Sequence, residues 1–350
     1  MKKSILTPIS IIIILSFLSV TVSCQGEKKQ KAVSIGFYNL ENLFDTIIDQ
    51  ELFLAEDFTP NGKKQWTSER YHEKLGNMAD VISKMAIDET PNGLALLGVC
   101  EIENKGVLED LVKEKAIDDR NYQIVHYDSP DSRGIDVALL YNPQYFKPVN
   151  HKAYPLTLAN DTSFRSRSQL VVTGLLDGEE ISIIVNHWPS RRGGEEKSRH
   201  KRNAAGDLNR HIVDSLLAIN KKAKILVMGD LNDDPDNESV LEHLNARGDK
   251  SNLKKGELFN PAFNIHNDST GTLMYRGKWN LFDQIIVSQG FLGKNRSSYK
   301  YGQFIIFDRP FLRQQEGKYK GHPWRTYGGK NYIHGYSDHL PVYILLVKSN

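Results

Sequence analysis

Five apolar stretches of this chain each run into polar groups suited to metal or phosphate chemistry. GFY leads into Asn39-Leu40-Glu41, and LLGVC into Glu101-Ile102-Glu103. IIVN leads into His187, and LVMG into Asp230-Leu231-Asn232-Asp233-Asp234. Near the C-terminus, Gly335-Tyr336-Ser337 leads into Asp338-His339. Carboxylates and amides supply the oxygen ligands that hard divalent ions take. An imidazole can carry or release a proton near neutral pH. Asp230 and Asn232, two apart on an extended segment, project to the same side and can reach one site. Taken singly, each cluster has a plain structural role. Asn39 can turn the chain, and Glu101 can be a solvated loop acid. Asp230, Asn232 and Asp233 can bond their own backbone. His187 can be an ordinary hydrogen-bonded imidazole, and 338–341 a strand-entry turn. Five such clusters in one chain are harder to explain that way.

The elements that must position these groups are short β-rich runs with helical stretches between them. Strands are expected at 33–38, 94–99, 122–127, 136–141, 170–176, 181–186, 224–229, 283–288 and 341–347. Several are apolar almost throughout, which points to burial of both faces. Helices are expected at 68–85, 105–115 and 196–219. The first carries Leu75, Met78, Val81, Ile82 and Met85 at the spacing of one helix face. Region 247–280 is Gly- and Asn-rich and weakly periodic, and reads as loops. Sheets covered by helices, an α/β fold, follow from strands and helices interspersed along one chain. An apolar fraction of 39% over 350 residues is enough for a sizeable core in one large domain or two ordinary ones. The net charge of +2 argues against a histone-like polyanion binder. With two cysteines, Cys24 and Cys100, there is no disulfide framework and no Cys/His zinc pattern. Cys100, in LALLGVC, is expected to be a small buried apolar group.

The N-terminus reads as an address. Lys2 and Lys3 precede an apolar stretch over 9–22 that ends at TVSCQG. This resembles a bacterial lipoprotein signal, in which Cys24 would be lipidated and become the mature N-terminus. Thr21 departs from that pattern, where a larger aliphatic is usual. The resemblance implies a cleaved signal over 1–24, a polar tether over 25–31 and a folded domain over 32–350. It implies a bacterial cell-envelope location, lipid-anchored, or secretion. The lipid anchor is then the expected membrane contact, and the chain is expected to act as a monomer.

The set YNLENLFD, GVCEIEN, VNHWPS, VMGDLNDDP, LFDQIIVS and GYSDHLPV, in this order, resembles the endonuclease/exonuclease/phosphatase superfamily. The segment NHWPSRRGG is most similar to its bacterial secreted nuclease-like branch. The resemblance implies a four-layer sandwich, two mixed β-sheets face to face with helices outside. It implies hydrolysis of phosphoesters with Mg²⁺, or Mn²⁺ or Ca²⁺ in its place, one ion or two. Glu101 matches the main metal carboxylate of the family and Asn39 its strand-end asparagine. Glu41 falls where some members carry a second acid, and Asp338 matches a further ligand or supporting acid. By the same resemblance Asp230 orients or deprotonates water, Asn232 holds it or a phosphate oxygen, and His339 is oriented by Asp283. His187 matches a second histidine, for which Asp136 is the acidic partner suggested here. Arg167 resembles a phosphate-facing arginine, with Arg165 as its alternative. Arg191 and Arg192 sit in a Gly-rich loop that is either a phosphate mouth or a solvated turn. Arg199, Lys201 and Arg202 read as a wet helix face. No exposed aromatic hairpin of the sphingomyelinase kind is expected, and Trp279 and Phe282 are assigned to the core. The implied substrate is nucleic acid. The alternatives are lipid head groups or small phosphorylated molecules, or a catalytically silent binding protein on the same fold.

Overall fold

The computed structural model describes residues 30–47, 57–267 and 269–349. The first half runs β1 (Gln30–Leu43), α1 (Ser68–Lys84), β2 (Leu94–Ile102), α2 (Lys105–Leu111), β3 (Gln123–His126), β4 (Asp136–Tyr141), β5 (Phe146–Tyr154), β6 (Gln169–Leu176) and β7 (Glu179–His187). Then follow α3 (Glu195–Ile219), β8 (Ile225–Asp230), β9 (Ala246–Arg247), β10 (Leu258–Phe259), β11 (Leu273–Tyr275), β12 (Lys278–Asn280) and β13 (Asp283–Val287). The last elements are β14 (Lys300–Ile306), β15 (Tyr327–Gly328), β16 (Asn331–Tyr332) and β17 (Val342–Ser349).

Among the described residues the strands form two large mixed sheets, ordered β14-β17-β1-β2-β4-β3 and β5-β6-β7-β8-β13-β10-β9. Alternation along a strand explains why their sequences are apolar throughout. In β2, Leu96 and Cys100 point between the sheets and meet Val185, Met228 and Ile285. Leu97 and Val99 point the other way, onto Leu75, Met78 and Ile82 of α1 and Leu111 of α2. On the far side, Ala205, Ile212 and Val213 of α3 cover Ile184 and Val227. Helix, sheet, sheet and helix are therefore four layers around three apolar seams, and Cys100 is buried as expected.

Local chemistry sets the helix starts. Thr67 caps α1 by accepting from Arg70 N, and Asn104 caps α2 by accepting from Val107 N at 3.1 Å. The second helix stops at Leu111, four residues short of the expected end, and the chain continues in turns.

The differences from the sequence reading lie at sheet edges. β5 and β14 were not expected. Both are edge strands with exposed polar residues, and each slips register, at Pro148/Asn150 and at Tyr301/Gln303. Such strands lack the apolar signature because one edge faces water. Region 247–280 is not all loop: β10 joins the second sheet, and β11 and β12 form a hairpin with Tyr275 exposed beside its turn, where no exposed aromatic hairpin was expected. β1 starts at Gln30, so Gln30 and Lys31 pair with Ser349 and Lys348 and do not belong to a tether. The signal and Cys24 lie outside the described residues. Among the described residues no helix is long and apolar enough to cross a membrane.

Candidate active site

β1, β2, β7 and β8 end at one edge of the sandwich, and β13 begins there. Strand register lines up three of the candidate residues. His187 is the parallel partner of Asp230, and Asp283 is the antiparallel partner of Asp230. Residues opposite one another in register share a face, so the row His187, Asp230, Asp283 presents its side chains together. Gly229 permits this close pairing: a Cβ there would stand 2.3 Å from the Asn186 carbonyl oxygen.

The two sheets meet at Asp230. Asn39, at the end of β1, donates from Nδ2 to Asp230 Oδ2 at 3.1 Å. His187 Nε2 lies 3.6 Å and His339 Nε2 3.8 Å from the same oxygen. His339 Nδ1 is 2.7 Å from Asp283 Oδ2. Asn232 N donates to Asp230 Oδ1 at 2.9 Å, and its side chain donates to Trp188 O at 2.9 Å. Glu101 Oε1 is 3.7 Å from His187 Nε2, while its Oε2 accepts from Asn42 N at 3.0 Å. Glu41, Asn42, Glu101 and Asn232 all hold left-handed backbone with φ of 48–58°. Such conformations are costly for non-glycine residues and concentrate at functional sites. Strand irregularities accompany them, with register shifts at Asn39/Leu43 and Cys100/Ile102.

The electrostatics divide the two histidines. Burial opposes a charge on His339, but Asp283 and Asp230 outweigh it and hold the imidazolium well above the usual histidine range. His187 is pushed well below that range by burial, and further by the Arg167 and Arg133 cations. One ring is therefore cationic and the other neutral at pH 7. Burial, with Asp283 and Glu101 close by, raises Asp230 to about 7, against the pull of His339.

Behind this row lies a charge network that the sequence reading did not single out. Lys74 of α1 is fully buried and donates to Thr326 Oγ1 at 2.7 Å and Tyr336 O at 2.5 Å. Burial lowers it to about 8. Glu41 accepts from Thr326 N at 2.7 Å and lies 4.0 Å from Arg325 Nε. Burial and the Asp338 charge raise Glu41 to about 7. Arg325 also donates to Asp338, which is held below the usual carboxylate range: burial opposes this, and His339 and Arg325 outweigh it. A signal for Lys74 was present, since it stands three residues from Tyr71 and four from Met78 on the apolar stripe of α1. A lysine on such a stripe needs buried partners.

These residues fit a divalent ion. Five carboxylates, from Glu41, Glu101, Asp230, Asp283 and Asp338, face Lys74, Arg325 and the His339 imidazolium. Negative charge is in excess, and all the acids are oxygen donors of the kind hard cations take. Glu101 Oε1 accepts no hydrogen bond among the described residues, so it is free to take a ligand.

Four expectations are corrected. Asp136 does not partner His187. It opens β4 in the first sheet, 2.9 Å from His126 Nε2, and accepts from Ser129 N at 2.7 Å. His126, Asp128 and Asp136 do place ligand-type atoms within 4.8 Å of one another, but Asp136 is saturated by its own partners and Asp128 is exposed. Arg167 does not face a phosphate. Its buried guanidinium donates to Asp131 Oδ2 at 2.9 Å, to His187 O at 3.0 Å and to Trp188 O at 2.5 Å. Arg191 is also turned inward, donating to Asn232 O and to the Asp233, Asp234 and Asn237 side chains. Arg202 is not on a wet face: it is buried, with Nε 2.7 Å from Asp233 Oδ1. Arg165 is exposed and bonds the Thr162 and Phe164 carbonyls, and Arg192 is exposed.

Residues 34–348 match the model of the Endonuclease/Exonuclease/phosphatase family. The chain belongs to that family. Its two mixed sheets with outer helices are the sandwich that the family's fold calls for, and the scaffold is that of a phosphoesterase. Among solved structures it resembles an endonuclease/exonuclease/phosphatase family protein from Bacteroides thetaiotaomicron, at 16% identity and TM-score 0.54, over 92% of this chain and 97% of that one. It also resembles the B. thetaiotaomicron VPI-5482 mannosyl-6-phosphatase, at 15% identity and TM-score 0.53, over 90% and 99%. A third is D. rerio TDP2 complexed with single strand DNA product, at 12% identity and TM-score 0.51, over 90% and 98%. At these identities the likeness speaks for the fold. No curated protein matches the sequence.

Proposed function

We propose that this family member is an exported, divalent-metal-dependent phosphoesterase that hydrolyses nucleic-acid phosphodiesters. The observation that carries the reading is Asp230 set between a neutral His187 and a cationic His339 at one sheet edge. Glu101 and Asn39, with Glu41 and Asp338 behind them, would hold Mg²⁺, or Mn²⁺ or Ca²⁺ in its place. The ion would supply neutralisation of charge at the phosphoryl oxygens. Asp230, raised to about 7, is matched to taking a proton from an attacking water near neutral pH. Its Oδ1 is fixed by Asn232 N, which keeps the base aimed. His339 holds a proton at Nε2 while Asp283 fixes Nδ1, so it can donate to a phosphoryl or leaving oxygen as negative charge builds there. His187, uncharged, can share the same oxygens without repelling the ion.

The address-like N-terminus supports export to the bacterial cell envelope through lipidated Cys24, or secretion. Among the similar structures, one holds a single-strand DNA product and another is a mannosyl-6-phosphatase, so the scaffold serves both ester classes. The test is hydrolysis by the full chain in detergent, with Mg²⁺ and with EDTA. Supercoiled DNA, RNA, sphingomyelin and bis-p-nitrophenyl phosphate are run in parallel, each with Asp230→Ala beside it. Metal-dependent cleavage of DNA or RNA, lowered about 10²–10³-fold by the substitution, is expected. Cleavage of the small or lipid ester alone would move the substrate class, and turnover in EDTA would end the metal reading.

A further inference from the structure

We infer that the cavity beside Asp338 is a subsite for single-stranded nucleic acid. It seats the nucleotide next to the scissile phosphate, with bases on Tyr275 and Tyr319 and the following phosphate on Arg276 and Lys318. This rests on the phosphodiesterase reading above.

The cavity has a volume of ≈ 530 Å³ and runs from Asp338 and Arg325 out to these four side chains. That is within the size range of pockets that hold small ligands. One wall is the β11–β12 hairpin, whose strands pair Leu273 with Asn280 and Tyr275 with Lys278. Its turn is Arg276-Gly277, both left-handed at φ 50° and 80°. A two-residue hairpin turn with both φ values positive fits the strand twist. The stem is fastened to the histidine loop. Leu273 bridges to His339, and Leu340 N donates to Thr272 O at 2.8 Å. Arg313 lies over the Trp279 ring at 4.7 Å and holds the other strand down. The tip therefore keeps a fixed position relative to His339.

The lining has a specific chemistry. Tyr275 and Tyr319 are 61% and 46% exposed, although large aromatic side chains elsewhere in the chain are mostly buried. Each carries a cation against its ring, Arg276 at 5.2 Å from Tyr275 and Lys318 at 5.5 Å from Tyr319. Aromatic platforms flanked by cations are how proteins track unpaired bases and their phosphates. Asp338 is the one carboxylate in the lining, and Arg325 already neutralises it. A sugar would want acceptors for its hydroxyls, and this lining offers mainly donors. A duplex would keep its bases stacked on one another and away from the tyrosines.

The experiment compares kcat/KM for a short single-stranded oligonucleotide with kcat/KM for bis-p-nitrophenyl phosphate, using the full chain with Mg²⁺. Tyr275→Ala and Tyr319→Ala should each lower the oligonucleotide-to-small-ester ratio about tenfold, the loss expected when one base loses its aromatic partner. Tyr→Phe at either position should restore it. The double variant Arg276→Ala, Lys318→Ala should lower the ratio by a similar factor and flatten the salt dependence of oligonucleotide cleavage. A ratio equal to wild type in all of these variants would overturn the subsite while leaving the phosphodiesterase reading intact. So would wild-type turnover of the small ester with none of the oligonucleotide, or inhibition by phosphoinositide vesicles but not by oligonucleotide. Failure to hydrolyse either ester with metal present would instead overturn the phosphodiesterase reading itself.

Discussion

Replacing Asp283 with Asn isolates what the carboxylate does for His339. The two are buried, 2.7 Å apart, and asparagine keeps the volume and a hydrogen-bond acceptor for Nδ1–H. Only the charge is lost. Asp283 is the strongest of the charges that keep the imidazolium protonated against burial, with Asp230 next. Removing one member of a buried ion pair costs about 3–5 kcal/mol. If about 3 kcal/mol of that falls on the cationic form alone, the histidine pKa drops by about two. His339 would then lose its proton at a lower pH than in wild type. An acid that must carry its proton fails as pH rises through its pKa, so the alkaline limb of the rate profile should move down by about the same amount. On the alkaline side, where the variant ring has lost its proton and the wild-type ring has not, kcat/KM for bis-p-nitrophenyl phosphate should fall about 10²–10³-fold. The assay is p-nitrophenolate release across the neutral range with Mg²⁺, alongside ¹⁵N NMR of the histidine rings. A near-wild-type rate with the alkaline limb unmoved would refute the coupling. So would a His339 ring that loses its proton at the same pH in both proteins.

Other consequences concern stability and address. Without metal, Asp230 and Glu41 are both raised to about 7 and His339 lies well above its usual range, so between about pH 6 and pH 8 the folded state binds more protons than the unfolded one. Stability in EDTA should therefore fall as pH rises through that window, by several degrees in Tm, and Mg²⁺ should recover it; a flat Tm would count against the acid cluster. His187, depressed by burial, removes stability only as pH falls below the ordinary histidine range. Arg167→Met leaves the buried Asp131 with Arg133 alone and frees the His187 and Trp188 carbonyls, and should cost about 3 kcal/mol by urea unfolding; unchanged stability with a raised KM would restore it as a substrate contact. Cys24→Ser should move the protein from the membrane fraction to the soluble one, and an unchanged distribution would dispose of the lipid anchor.

What could be read from sequence depended on whether the signal was local. Strands buried on both faces announce themselves as unbroken apolar runs, and a polar residue at the end of such a run is conspicuous. Asn39, Glu101, His187 and Asp230 stood out for that reason; Asp283, at the start of its strand, came only from the family resemblance, and register then puts it in one row with His187 and Asp230. Partners were harder. Asp136 meets His126 because β3 and β4 fold back on each other, while His187 faces the other sheet's Glu101 and its own neighbour Asp230. Arg167 finds Asp131 across 36 residues, and nothing in FRSRSQL distinguishes an arginine turned inward from one turned out. The β11–β12 hairpin was missed because its strands are three residues each, too short for period-two alternation to register.

The inward arginines change how the site must recognise its substrate. Arg167 clamps the carbonyls of His187 and Trp188, while Arg191 and Arg202 converge on Asp233, three residues beyond Asp230. They brace the two loops that follow β7 and β8. Catalytic side chains need such support to keep their geometry. With His187 O clamped, its ring stays in the buried position that makes it neutral, and with Asn232 O bonded to Arg191, the backbone N–H of Asn232 stays on Asp230. The split between a neutral and a cationic histidine is thus enforced by charges turned into the protein. Cations spent in this way cannot also bind a polyanion. On the nucleic-acid reading proposed above, the outer phosphates would be met by cations exposed near the same edge, and Arg276 and Lys318, beside Asp338 and Arg325, are placed to do so.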